Sequence, residues 1–248
     1  MPDKRQHRGP HPDDEMLFAA PTVPTLRAAV AEISWLLSRG YASDSGLKLV
    51  GDRHNLTARQ RMAVRRSVCT DEARSGRQAT QVPADVLRDE PLGVDGYNLL
   101  ITIESALSGG VILIGRDGCC RDLASIHGTY RRVCETGPAL EMILNVIDGI
   151  GPAGVDWYLD RPVSNSGRLK TFIAELIEAR KAVGRPIAEL NIQLVDNPDQ
   201  VLGDYDGIVA TSDSVVLDRC RRWMNLAAEI IDERIPGAFK IDLRGDRL

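Results

Sequence analysis

Beyond residue 90 the chain alternates short apolar runs with amphipathic stretches, and five of those runs deliver an aspartate at or just past their last residue. The runs are Leu92 to Asp95, Val111 to Gly115, Val155 to Asp160, Ile192 to Val195, Ile208 to Thr211 and Phe239 to Leu243. Between them, Leu169, Phe172, Ile173, Leu176 and Ile177 share one helical face, and Val216, Cys220, Trp223, Ala227 and Ile230 share another. Strands alternating with helices predict an α/β fold, a central, mostly parallel sheet covered on both faces. The C-terminal ends of parallel strands lie on one edge, where open α/β sheets place their sites. Asp95, Asp117, Asp160, Asp196 and Asp213 therefore become candidate neighbours across long sequence separations. Singly, each is an ordinary turn or cap residue; their joint placement is the signal. Clustered carboxylates repel one another, and a hard cation relieves that repulsion. Mg²⁺ or Mn²⁺ suits such a sparse site, because magnesium accepts one or two carboxylates together with waters and phosphate oxygens.

Upstream the pattern differs. Residues 1–21 are rich in charge, Pro and His, and are expected to be a disordered tail. Residues 22–89 read as a small helical region and residues 90–248 as the α/β domain. One helix begins near Pro24, a favourable first-turn residue, with Leu26, Val30, Ile33 and Leu37 on one face and Gly40 as its stop. A second opens at Thr57, whose Gln60 three places on makes a capping box. It carries Arg59, Arg61, Arg65 and Arg66 on two sides, a candidate RNA contact set against a solvated surface as the plainer reading. The polar stretch from Thr70 to Asp89 reads as a linker or irregular arm.

At 248 residues, with 43% hydrophobic and 27% charged residues, the chain has the composition of a soluble globular protein. A net charge of −4 does not announce nucleic acid, although a local patch decides binding. No apolar run approaches the ~20 residues that span a bilayer, so no membrane partner is expected. The first residues lack the apolar core of a signal peptide. Five cysteines with no C-x-x-C pair suggest neither a disulfide framework nor a zinc knuckle, and a cytoplasmic home is expected.

Val94-Asp95-Gly96-Tyr97-Asn98 resembles the first-strand motif of the PIN-like nucleases, especially the NYN-type branch. Val195-Asp196-Asn197 and Asp206 through Ser212-Asp213 resemble that branch's later strands. The resemblance implies a three-layer PIN-like domain and a metal-dependent ribonuclease. It gives the catalytic roles to Asp95, Asn98, Asp196 and Asp213. It gives the metal to Asp95, Asp196 and Asp213, with Asp206 secondary, and makes RNA the partner; Asp117 and Asp160 are secondary metal candidates from their strand-end placement alone. The likeness spans roughly residues 90–243. It departs at Asn197, where many NYN-type enzymes carry a second acid, and through Val111 to Ile150, which places Asp117 and Asp122 outside the pattern. Those departures support an alternative, a PIN-like module with little or no catalysis that binds RNA or protein. The whole chain also resembles the domain of unknown function 434 family, through Arg39-Gly40-Tyr41, Arg116-Asp117-Gly118 and the Pro162–Gly167 loop.

Three further features compete for a role. Ser164, Asn165 and Ser166 precede a helix and either cap it or, with Arg168 and Lys170, hold a phosphate; Ser212 is a further candidate for substrate contact. His11-Pro12-Asp13-Asp14-Glu15 matches the zinc motif of N-acetylglucosaminyl deacetylases. It lacks both a preceding strand and a His-x-x-His partner, so it is expected to be coincidental. His127 is isolated and reads as structural. Sequence leaves the oligomeric state open.

Overall fold

The computed structural model describes residues 7–124, 128–185 and 189–245. Helices α1 (Asp14–Leu17), α2 (Val23–Leu37), α3 (Ser43–Arg53), α4 (Ala58–Ser67) and α5 (Asp71–Thr80) precede β1 (Pro91–Asp95) and α6 (Gly96–Leu107). Strands β2 (Ile112–Ile114) and β3 (Cys120–Asp122) follow, then α7 (Thr136–Ile150), β4 (Gly154–Asp160), α8 (Ser166–Ala182) and β5 (Leu190–Val195). The chain continues with α9 (Pro198–Gly203), β6 (Ile208–Ala210), α10 (Ser214–Leu217), β7 (Trp223–Met224), α11 (Leu226–Arg234) and β8 (Lys240–Asp242).

The central sheet has five strands in the order β5-β4-β1-β6-β7, every neighbouring pair parallel. The chain winds outward from β1 through β4 to β5, then returns to the other side of β1 with β6. The gap between β1 and β6 is thus the switch point, where loops leaving the two strands diverge and open a crevice. Period-two alternation fills both faces. Leu92, Val94, Val155, Trp157, Leu159 and Ile208 pack with the buried sides of α6, α7, α8 and α11. Tyr158, Val209 and Trp223 pack beneath Leu202 of α9 and Val216 and Leu217 of α10. Complete burial of side chains such as Leu92 and Ile208 contributes about 1.5–3 kcal/mol each.

A second sheet, in the order β3-β2-β8, joins the two regions of the chain. Strands β2 and β3 are antiparallel, and β8 runs parallel to β2. Ile112 and Cys120 belong to the α/β core, whereas Leu113, Ile241 and Leu243 belong to a separate core with Leu26, Val30, Ile33 and Val64 of the helical region. The helices therefore pack on the outer face of this small sheet.

Several sequence expectations need correction. The expected strands near Val111 and Phe239 form, but in the second sheet. Residues 7–21 are packed: Phe18 lies in the helical core, Asp14 is fully buried, and Arg8 Nε bonds to the buried Glu104 carboxylate at 2.7 Å. The composition of the segment hides these few anchoring contacts. The supposed linker contains α5, capped by the Thr70 hydroxyl, which accepts from the Ala73 amide. The helical face expected over Val216 to Ile230 is split into α10, β7 and α11. Trp223 pairs with Val209, its indole donates to the Arg77 carbonyl at 2.7 Å, and its own carbonyl accepts from Val82. Sheet pairing outweighs helical periodicity there. The capping box at Thr57 and Gln60 forms as expected. His127 lies outside the described residues, as do residues 1–6 of the tail.

Candidate functional site

Strand β1 hands directly into α6 at Asp95-Gly96, and only glycine fits that junction. A Cβ at position 96 would lie 2.2 Å from Trp157 Nε1 and 2.5 Å from the Tyr158 carbonyl. The tight joint lets α6 start against β4 and leaves Asp95 at the strand end, 8% exposed. On the other side of the switch point, Thr211 Oγ1 donates to Asp95 Oδ2 at 2.8 Å, and Ser212 Oγ donates to Asn98 Oδ1 at 2.5 Å. These two bonds tie the first turn of α6 to the end of β6. Asp213 follows, its Oδ1 accepting from the amides of Val215 and Val216 as the cap of α10.

A cavity of about 480 Å³ opens over this junction. Five aspartates line it: Asp95 from β1, Asp160 from the end of β4, Asp199 from the first turn of α9 and Asp213 from beyond β6, together with Asp122 at the end of β3. The Asp122 carboxylate is already bonded to Thr102, Arg66 and the Ala124 amide. Burial, reinforced by the charges of Asp213 and Asp199, pushes the Asp95 carboxyl up to about 7 despite the relief given by Thr211. Burial also raises Asp160, and burial with the charges of Asp213 and Asp160 raises Asp199. The cationic side chains lining the same cavity are engaged elsewhere. Arg65 pairs with Asp44, Arg66 binds the Asp122 and Ala124 carbonyls, and Arg121 forms a bidentate pair with Asp117. The acidic cluster is thus undercompensated, which favours a proton or a cation. Among the described residues, no group of three or more His, Cys, Asp or Glu side chains is arranged to hold one metal ion. What the donors fit is a hydrated cation held by one or two carboxylates.

Other expected site residues stand elsewhere. Asp196 ends the edge strand β5, two strands from β1, with its side chain 74% exposed and paired to Arg161 at 3.1 Å. Asp206 precedes β6, so it sits at the opposite edge of the sheet, 92% exposed and paired with Arg221. Asp117 is buried between Arg121 and Arg77, whose guanidinium groups hold its carboxyl far below the usual range against the cost of burial. Arg121 Nε also donates to the Ser212 carbonyl, so this pair braces the loop beside the acidic cavity. Arg59 and Arg61 face away from that cavity, bonded to Asp14 and Asp52. Ser164, Asn165, Ser166 and Arg168 lie at the start of α8, outside the lining of the acidic cavity.

Asp199 and Tyr97 were missed. Asn197-Pro198-Asp199 is a helix-opening signature, with Asn197 as cap and Pro in the first turn. Extending the strand-end rule by one helical turn would have found Asp199. Tyr97 also lines the cavity, and its buried hydroxyl has no partner among the described residues.

The fold and site define a doubly wound α/β protein with an acidic cleft at its switch point, joined through a small second sheet to a helical N-terminal region. The model of the domain of unknown function DUF5616 matches residues 84–229, more than half of the chain, and the chain belongs to that family. The protein of unknown function DUF434 model matches residues 25–79, within the helical region. The uncharacterized protein MJ0935 of Methanocaldococcus jannaschii is 26% identical over 210 residues, covering 84% of this chain and 97% of that protein. No solved structure matches. No helix among the described residues is long and apolar enough to cross a membrane.

Proposed function

We propose that this protein is a metal-dependent phosphodiesterase, a ribonuclease in the PIN-like manner, acting at the cleft between β1 and β6. The observation that carries the reading is the convergence of Asp95, Asp160, Asp199 and Asp213 on one cavity, with Asp95 raised to about 7. The outward-and-back sheet order, with its acids at the switch point, supports it as well.

Asp95 and Asp213 would hold Mg²⁺ or Mn²⁺, beside the carboxylates of Asp160 and Asp199 in the same cavity. When bound, such a cation supplies a water of lowered pKa and neutralises charge developing on the phosphate. The chain's own residues do the rest. Thr211 fixes one oxygen of Asp95, while the Asn98–Ser212 bond locks the loop that carries Asp213. The proton on Asp95, whose carboxyl burial raises to about 7, would compete with a bound cation.

The test is cleavage of single-stranded RNA by the purified full chain in Mg²⁺ or Mn²⁺, with arrest by EDTA and loss in Asp95→Asn. Absence of cleavage across a substrate and metal panel, with the fold intact, would overturn the reading. A second reading, an RNA-binding or protein-interaction module with little catalysis, draws on the lack of a preformed three-ligand group among the described residues. Mn²⁺ titration separates the two, because only the enzyme reading requires stoichiometric binding that Asp95→Asn abolishes.

A further inference from the structure

A second cavity, about 330 Å³, is lined by Tyr130, Arg131, Arg132, Asn165, Arg168 and Leu169. No carboxylate belongs to its lining. Arg131, Arg132 and Arg168 are exposed, and none forms an ion pair among the described residues. Arg132 instead stacks its guanidinium over the Phe172 ring, 4.5 Å from the centroid. In a chain of net charge −4, three unpaired arginines around one hollow are a strong local departure.

The backbone adds to the positive potential. Asn165 stands at the N-cap of the 17-residue α8, but its φ of 72° turns the side chain away, and its Nδ2 donates to the Tyr130 carbonyl at 2.9 Å. The Ser164 carbonyl, which would accept the Arg168 amide, is taken by the Tyr130 amide at 3.1 Å. The amides of Gly167 and Arg168 consequently have no partner among the described residues, and they add to the positive end of the helix dipole. An anion at this position would satisfy both amides and the guanidinium groups together.

A third cavity lies between the hollow and the acidic cleft, sharing one wall residue with each. Arg131 walls it on the side of the hollow, with Arg8, Arg59 and the segment from His7 to Pro12, and Ala124 is the residue it shares with the acidic cleft. Along the chain, Asp160 in the cleft and Asn165 at the hollow are five residues apart, at most about 17 Å even if fully extended. Arg8 and Arg59 are already paired with Glu104 and Asp14, so the free positive charge concentrates on residues 131, 132 and 168.

We propose that the hollow of Arg131, Arg132 and Arg168, with the uncapped start of α8, is a phosphate subsite that holds a single-stranded nucleic acid a few nucleotides from the acidic cleft. The proposal rests on the phosphodiesterase reading for the identity of the polymer. Phosphate contacts of this kind position a strand without reading its bases. Arg131 and Arg168 act in binding and register rather than in bond cleavage.

The experiment is fluorescence anisotropy of labelled single-stranded RNA and DNA oligonucleotides on the full chain in EDTA, over a salt series. Arg131→Ala/Arg168→Ala should weaken binding at least tenfold. It should also flatten the slope of log Kd against log salt by about 1.4, two contacts at roughly 0.7 each for single strands. Arg221→Ala, at the opposite edge of the sheet, should change neither quantity, and Arg131→Lys/Arg168→Lys should keep most of the slope. Weaker binding of DNA than RNA, with equal slopes, would assign the polymer as RNA. If the double alanine variant binds as the Arg221→Ala control does, the subsite is refuted, whatever the cleavage assay shows. If the wild type shows the arginine-dependent slope but cleaves nothing, the subsite stands and the phosphodiesterase reading falls. If the wild type binds neither strand, the subsite is refuted.

Discussion

Replacing Asp95 with Asn should stabilise the metal-free protein at alkaline pH and do progressively less for it as the pH falls. Burial and neighbouring charge raise the folded-state pKa of Asp95 from 3.8 to about 7, so the folded state binds this proton more tightly than the unfolded state does. Stability linked to a raised carboxyl is intact below about pH 4 and is lost as pH climbs towards about 7. Three pH units at 1.36 kcal/mol each set a ceiling of about 4 kcal/mol, of which roughly 2–3 kcal/mol falls between pH 5 and pH 8. Asn cannot ionise, so its stability lacks this component. Its carbonyl oxygen can still accept from Thr211, while the bond from the Asn98 amide weakens. That loss is independent of pH and cancels when the two pH values are compared. Urea denaturation of both proteins in EDTA at pH 5 and pH 8 measures the effect. The advantage of Asn over Asp should grow by about 2–3 kcal/mol across that interval. Millimolar Mg²⁺ at pH 8 should shrink it by stabilising the wild type alone. An Asn-minus-Asp difference that does not move with pH would refute the electrostatic account of the cleft.

Three other outcomes can be checked more briefly. Gly96→Ala should cost more than about 3 kcal/mol or prevent folding, because its Cβ meets both the Trp157 indole and a backbone carbonyl; a urea midpoint near wild type would contradict the packing. Asp14→Ala should cost roughly 2–3 kcal/mol by stranding Arg59, below the usual range for a buried pair because Arg59 is partly exposed. Removal of residues 1–15 should lower the thermal midpoint by at least as much, and an unchanged melt would show that the N-terminal segment is not anchored. Finally, Asp199→Asn should weaken Mn²⁺ binding at the cleft tenfold or more, whereas Asp196→Asn should leave it within twofold, as calorimetric titration of both variants would show.

Strands β1, β4, β5 and β6 were legible because each concentrates apolar or β-branched residues over a short stretch, as Trp157 to Leu159 and Ile208 to Thr211 do. The two-residue β7 and three-residue β3 were not, since so few residues carry no period, and their pairing partners supply the structure. The strand-end rule brought Asp95, Asp160 and Asp213 to one cavity because parallel strands share one edge. The same rule misplaced Asp196, since it ignores lateral position: β5 lies at the rim of the sheet, and its aspartate finds solvent and Arg161 instead of a cleft. Asp206 failed for a simpler reason, being on the entry side of its strand. Asp117 shows a third limit, because only tertiary structure reveals the two arginines that neutralise it.

Strand β8 has a consequence for how the molecule is made. Ile241 and Leu243 complete the hydrophobic core of helices formed by residues more than 170 positions earlier, and β8 also supplies one side of the β2 ladder. During synthesis those helices precede β8, and the side of their core that Ile241 and Leu243 cover, with Leu26, Val30 and Ile33 behind it, stays incomplete until the intervening α/β segment has been made. The helical region is therefore no autonomous folding unit, despite its early synthesis and its separate sequence character. A chain cut before residue 240 would lose Ile241 and Leu243 from that core and would leave the foundation under its first helices incomplete.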